Sequence, residues 1–527
     1  MYELAQQRLN LMHAAGCTDA LPGGKRGLEK ESLRIRRDGT LASTPHPRAW
    51  GSALTHPFIT TDYSEALPEL ITPAFSLNTE VAEFLHRTHQ FIYRELTPDE
   101  LLWCASMPCA IKDDLAVPIA DYGRSNIGRM KHVYRVGLDY RYGRRMQAIA
   151  GVHFNYSLPQ EFWPLFQAVE KDRGRLRDFI DRSYFALIRN FRRLGWIVPF
   201  LFGNSPVVCS SFLGGRTTRF KAFDEGSHYL PYATSLRMSD IGYKNKNQAA
   251  LNVSYDGLEP YVSSLARAIV TPYPEYEVIG LYDGDQRVQL NTNVLQLENE
   301  FYSYIRPKRT IRAGEKPTHA LDERGVEYVE MRALDVYCFS PTGVELEHMY
   351  FLEAFLILCL LADSPPIAAV EQWSIDYNEL TVALRGREPG LRLMQGDRRV
   401  AITEWAAAIF SAMEPICTIL DRATTDAPYR AALETQRAAL SDLDRLPSAR
   451  LLQTLRAEKK SFFDFTLELA TTHANYFRNS VLVDSVAEQF RTIAEDSLNK
   501  QTALETGDTL SFEDYLAHYF AGRLTEG

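Results

Sequence analysis

Up to about residue 345, short segments of alternating apolar and polar residues are interleaved with longer stretches of helical periodicity. Leu28–Ile35, Gly151–Ser157, Tyr276–Tyr282, Gln286–Leu290 and Val326–Leu334 are predicted as strands from alternation and β-branched or aromatic content. Asp283-Gly284-Asp285 has the chemistry of a hairpin turn, and strands joined so tightly are antiparallel. Thr79–Glu95 carries Val81, Phe84, Leu85 and Phe91 at helical spacing, and Asp172–Leu194 carries Leu176, Phe179, Ile180, Tyr184 and Leu187. The Arg-rich remainder of the second helix reads as a solvated face. From about residue 347 the pattern is mostly helical, over 347–362, 401–421, 428–444 and 482–500, punctuated by Pro365-Pro366, Pro389-Gly390 and Pro428. The expected class is α+β, with an antiparallel sheet first and helices concentrated at the end. Residues 1–395 read as a core and 396–527 as a mostly helical region packed on it.

Composition narrows the class of function. Of 527 residues, 45% are hydrophobic and 24% charged, ordinary values for a globular protein able to bury a large core. A net charge of -9 argues against a general nucleic-acid or anionic-membrane surface. The opening Met-Tyr-Glu-Leu-Ala-Gln-Gln lacks the layout of a signal peptide. The longest apolar run, Ala354 to Ala362, is too short to span a bilayer and predicts a buried helix. Seven scattered cysteines without a C-x-x-C pair predict reduced thiols of a cytoplasmic protein, with room for a single redox-sensitive bridge.

Candidate chemistry begins at Gly27-Leu28-Glu29-Lys30-Glu31-Ser32. On an extended segment Glu29 and Glu31 share a face, and like charges so close call for a cation between them. Asp62, Glu65 and Glu69 follow, and oxygen-rich clusters of this kind suit a hard divalent ion. Pro68 removes a backbone donor, which predicts Glu69 at a bend or a strand edge. His153, Asn155 and Ser157 alternate with Val152, Phe154 and Tyr156; their shared face fits a metal or substrate, or an ordinary half-solvated strand. Glu330 and Arg332 also share a face, as a plain salt bridge or as an acid for magnesium beside a fork for phosphate. Two hydroxyl-rich stretches, Tyr229–Tyr243 around Arg237 and Asn291–Arg309, suit capture of a small zwitterion, though each alone is weak. P-loop, G-x-G-x-x-G, H-E-x-x-H and G-x-S-x-G motifs are absent.

Taken in order, these segments resemble the bacterial glutamate–cysteine ligases of the type 1 family. The matching blocks include RGLEKESLRI, GSALTHPFITTDYSEAL, YGRSNIGRMKHVYRVGL, RYGRRMQAIAGVHFNYSLP, LPYATSLRMSDIGY, LQLENEFYSYIRPKR and VEYVEMRALDVYCFSP, spread over residues 20 to 345. The resemblance implies a sheet curved into a half-open barrel like that of glutamine synthetase, with ATP and magnesium (or manganese) in its trough. It implies Glu29, Glu31, Asp62, Glu69, His153 and Glu330 as metal ligands and Arg332 on the transferred phosphate. Arg237 would hold the glutamate carboxylate, with Asn155 close by. Tyr134, Arg135, Leu138, Gln147, Tyr243, Asn299 and Tyr302 would shape a cysteine pocket, with Tyr63 at its edge. The implied reaction is the first step of glutathione synthesis, through a γ-glutamyl phosphate, by a cytoplasmic monomer. Alternatives are a ligase joining glutamate to another amine and a non-catalytic sensor that kept the fold. A glycosidase fits poorly, because acids two apart on one strand cannot flank a sugar from opposite sides.

Overall fold

The computed structural model describes residues 1–216, 218–242, 251, 253–312 and 314–524. Its centre is a six-stranded sheet built from β1 (Lys25–Glu31), β2 (Ile59–Thr61), β3 (Pro68–Ile71), β4 (Gly151–Ser157), β5 (Ile305–Lys308) and β6 (Tyr328–Asp335). The spatial order is β5-β6-β4-β1-β3-β2, and every neighbouring pair is antiparallel. The class is α+β, as the periodicity predicts.

Strand alternation gives the sheet two unlike faces. Leu28, Lys30, Leu70, Val152, Phe154, Tyr156, Val329 and Met331 point to the rear, where almost all are fully buried. The helices Asn78–Glu95, Leu176–Leu194, Ile197–Phe202 and Leu346–Leu361 cover that rear face and one another. The last of these is buried nearly all round, as its unbroken apolar sequence requires. Helices after residue 400 pack back on the earlier part: Ile402–Leu420 on Leu346–Leu361, Phe462–Asn479 on Asn78–Glu95, and Phe512–Phe520 on Asn126–Tyr142. Among the described residues, no helix is long and apolar enough to cross a membrane.

Several expectations are corrected. The strand Leu28–Ile35 breaks at Ser32-Leu33, and Arg34–Arg36 pairs instead with Glu100–Leu102. Most of Tyr276–Tyr282 is not strand: Pro274–Ile279 is a helix, because Pro274 sits at its first position with Glu275 and Glu277 in the first turn. The hairpin shrinks to Tyr282–Asp283 paired with Gln286–Arg287. The Arg-rich face of Leu176–Leu194 is solvated only in its first half, where Arg182 is exposed, whereas Arg189, Arg192 and Arg193 further on are buried. Arg189 donates to the carbonyls of Tyr255 and Ser364, and Arg193 forks onto Glu371 of the helix Ala369–Arg385, so these buried guanidiniums fasten two loops and a second helix to this one. Glu69 is at neither a bend nor an edge, since β3 pairs with β1 on one side and β2 on the other. Pro68 is tolerated because it opens the strand. Two cysteines, Cys109 and Cys209, are bridged with Cα atoms 5.3 Å apart, and the other five are free and buried.

Candidate active site

The front face of the sheet collects acids from three strands and from the residue that follows a fourth. Register places Glu29 beside His153, Glu31 beside Glu69, and Glu330 beside Asn155. Asp62 follows β2, so its carboxylate joins the same face. Arg332 continues β6 two residues beyond Glu330. Residues 29, 62, 69, 153 and 330, remote in sequence, thus meet in one trough.

Within it, Glu29 accepts from Asn155 Nδ2 at 2.9 Å and lies 3.0 Å from His153 Nδ1. Glu31 accepts from the Gly151 backbone N–H at 2.6 Å. Glu330 takes a bond from Arg332 at 2.9 Å and faces Lys308 Nζ at 3.4 Å. No hydrogen bond or ion pair meets the carboxylates of Asp62 or Glu69 among the described residues. Burial, followed by Glu29, Asp62 and Glu31, raises Glu69 well above the usual carboxylate range. Burial and then Asp62 push Glu31 up to about 8. Burial also opposes ionisation of Glu330, but Lys308 and Arg332 overcome it and hold Glu330 well below the ordinary value.

A divalent ion fits this donor set. One oxygen each of Glu29 and Glu69 and one ring nitrogen of His153 lie within 4.8 Å of one another. Burial, helped by Arg332, lowers the His153 pKa and keeps the ring neutral. A neutral ring that donates from Nδ1 to Glu29 leaves Nε2 as a bare acceptor, the usual arrangement of a metal-binding histidine. That Nε2 is buried with no hydrogen-bond partner among the described residues, and it faces Glu31 Oε1 at 3.8 Å. Once Glu31 is ionised the two are acceptors turned towards each other in a buried site, and a cation between them removes that conflict.

Beside the trough opens a cavity of about 80 Å³, reached by Glu31, Asp62 and Arg332 from the acid side. Its other walls include Tyr63, Tyr134, Arg135, Leu138, Gln147, Asn299 and Tyr302. Tyr134, Arg135 and Leu138 lie on the helix Asn126–Tyr142, where spacings of three and four share a face. Arg135 donates from Nε to the Asp62 carbonyl, and Tyr302 OH donates to Gln147 Oε1 at 3.2 Å. The Tyr63 hydroxyl is buried and has no hydrogen-bond partner among the described residues. Asn155 is outside the cavity, on Glu29. Arg237 is wholly enclosed beneath the trough. It donates to the Arg332 carbonyl at 2.9 Å, with Asp335 at 3.7 Å, and Gly151 leaves room for its guanidinium. Tyr243 lies outside the described residues.

The family model described as glutamate-cysteine ligase matches residues 9–382. The chain belongs to the glutamate–cysteine ligase family. A glutamate–cysteine ligase from Alcanivorax borkumensis is 47% identical over 520 residues, covering 98% of this chain and 99% of that protein. Another, from Azotobacter vinelandii, is 47% identical over 531 residues and covers 100% of each. The crystal structure of a glutamate–cysteine ligase from Francisella tularensis in complex with AMP matches with a TM-score of 0.89 at 33% identity, over 95% of this chain and 98% of that one. A bifunctional glutathione synthetase from Pasteurella multocida shares the fold, with a TM-score of 0.68 at 22% identity over 92% of this chain and 57% of that one.

Sequence reasoning missed some residues of this glutamate–cysteine ligase family site. Lys308 faces Glu330, and its signal was available: it alternates with Arg306 on the strand paired to β6. Met146 and Ile149 line the cavity but carry no chemical signature by which to find them.

Proposed function

We propose that the chain joins the γ-carboxylate of L-glutamate to the amine of L-cysteine at the expense of ATP, through a γ-glutamyl phosphate. The observation that carries this reading is the juxtaposition of the acid trough, Arg332 and a small polar cavity. Phosphoryl transfer needs concentrated cations beside the acceptor carboxylate, and the second step needs an amine held within reach of the acyl group.

Glu29, Glu31, Asp62, Glu69, His153 and Glu330 would hold magnesium or manganese. A divalent ion bound there neutralises phosphate oxygens and supplies Lewis acidity. The chain's own groups do the rest. Arg332, oriented by Glu330, forks onto the moving phosphoryl group. Asn155 fixes Glu29, and the Gly151 N–H fixes Glu31. Arg237 takes the glutamate carboxylate. Tyr134, Arg135, Leu138, Gln147, Asn299 and Tyr302, with Tyr63 at the edge and Tyr243, enclose cysteine, orient its amine and exclude water from the acyl phosphate. The amine attacks the acyl carbon, and phosphate leaves in place of the otherwise immovable oxide. No protein nucleophile is needed. In the same reading the sheet is the trough of a half-open barrel, the helices of 396–527 brace it, and the protein works as a cytoplasmic monomer.

A product assay with glutamate, ATP, magnesium and a panel of amines tests this. Stoichiometric γ-glutamylcysteine and ADP are expected, with cysteine preferred. Preference for another amine, or phosphate release with no amide formed, would contradict it.

A further inference from the structure

Behind the cavity lies an ion pair that touches no proposed substrate. Arg141 stands on the last turn of the helix Asn126–Tyr142, on the face shared by Tyr134 and Leu138. Its guanidinium meets Glu300 at 3.1 Å, and both side chains are 0% exposed. Arg141 also donates to Gln289 Oε1 and to the Asn291 carbonyl, each at 2.8 Å, and lies 4.1 Å over the ring of Tyr276. Glu300 accepts two further bonds, from Tyr142 OH at 2.7 Å and from the Gln296 backbone N–H at 2.6 Å. Gln296 Nε2 closes the loop by donating to the Tyr134 carbonyl at 3.1 Å. Gly137 makes this approach possible, since a Cβ there would lie 2.3 Å from Gln296 Oε1.

We propose that Arg141 and Glu300 are positioning residues that set the width of the amine cavity. They hold the wall carrying Asn299 and Tyr302 against the helix carrying Tyr134, Arg135 and Leu138. This rests on the reading of that cavity as the amine pocket. Glu300 is directly bonded to Asn299 in the chain and two residues from Tyr302, so its placement fixes theirs. Tyr302 spans the cavity to Gln147, and a displaced wall loses that contact. A buried ion pair is no better for stability than an apolar pair of the same volume. What Arg141 adds is direction: with Nε committed to Gln289 and Nη2 to the Asn291 carbonyl, its rigid plane presents Nη1 alone to both Glu300 oxygens, at 3.1 and 3.3 Å, from one fixed side. Small errors in such a wall weaken capture of a small ligand before they affect the phosphoryl chemistry on the other side.

Steady-state kinetics of the full chain test the proposal with Glu300→Gln, Arg141→Lys and Tyr142→Phe. The first two should raise KM for cysteine about tenfold or more, with KM for glutamate and ATP within about twofold and kcat within about threefold. Tyr142→Phe keeps the Arg141 contact but removes one of the bonds that place Glu300, so the wall loosens in part and KM for cysteine should rise about threefold. A merely structural pair would instead lower kcat, through a smaller active fraction, at unchanged KM for cysteine; that result overturns the proposal. If the first two variants do not fold, an unchanged KM in Tyr142→Phe overturns it equally. Tyr302→Ala separates the two ideas. If it also leaves KM for cysteine unmoved, the pocket reading itself has failed. If it raises KM while Glu300→Gln does not, only the positioning role has failed.

Discussion

On the rear of the central sheet, buried charge is answered by the chain itself. Both oxygens of Glu353 are engaged, one by Arg26 and the other by Asn78 at 3.0 Å and Tyr429 at 2.7 Å. Lys30, next along the same face of β1, donates to Ser32 and lies 3.3 Å from His89 Nε2; burial lowers it to about 8. On the front of the same strand, Glu29 and Glu31 look out on Glu69, Asp62 and an acceptor nitrogen of His153. The difference separates structural from functional burial of charge. A network that only supports the fold closes on its own donors, whereas one shaped for a ligand leaves like groups facing each other.

The comparison can be broken from either side. The largest effect is expected at the rear: Glu353→Ala leaves Arg26 buried without its partner and should cost about 3–5 kcal/mol of stability in denaturant titrations. A loss under about 1 kcal/mol would deny that the rear network is structural. At the front, Glu29→Gln should weaken magnesium activation about 10–100-fold, with only a small loss of metal-free melting temperature. Burial and Glu330 oppose ionisation of Glu29, but His153 and Lys308 overcome them and hold its carboxylate below the ordinary value; that modest support is all the fold gives up. Equal destabilisation by Glu29→Gln and Glu353→Ala would erase the contrast.

Protonation sharpens it further. Glu31 has its folded value raised from 4.5 to about 8, so the folded state binds more protons than the unfolded state across that range. Metal-free stability should therefore fall as pH rises from about 4.5 to about 8, and divalent ions should restore it. The magnesium-induced rise in melting temperature should be larger at pH 8 than at pH 6, and Glu31→Gln should flatten both trends. A pH-independent rise would separate Glu31 from the metal. The smallest effect is expected at Tyr63, whose hydroxyl has no hydrogen-bond partner among the described residues. Tyr63→Phe should leave stability within about 0.5 kcal/mol or raise it. A loss above about 1 kcal/mol in denaturant titrations would reveal a hidden bond.

The front face was legible because alternation is local: Glu29 with Glu31, His153 with Asn155, and Glu330 with Arg332 could each be placed on one side of a strand. Which strands are neighbours was not, because register between β4 and β6 joins residues far apart in the chain. The ligand roles of these acids came from the family resemblance and stay within the proposal. Arg189 and Arg193 misled for a related reason. Their charge suggested solvent, while the carbonyls and the carboxylate that bury them come from distant loops and from the helix Ala369–Arg385, neighbours that no local pattern predicts. Arg141 and Glu300 were invisible too, being 159 residues apart with nothing in either neighbourhood to link them. Pro274 could have been read correctly, since proline followed by acids opens helices more often than strands.

The central claim is that the front acids jointly cage divalent ions. Mn2+ titrated into the metal-free chain and followed by electron paramagnetic resonance tests it without relying on turnover. Saturable binding to the wild type is predicted, falling sharply in a Glu29→Gln/Glu69→Gln double variant whose melting temperature is unchanged. Equal binding by the two proteins would contradict the account.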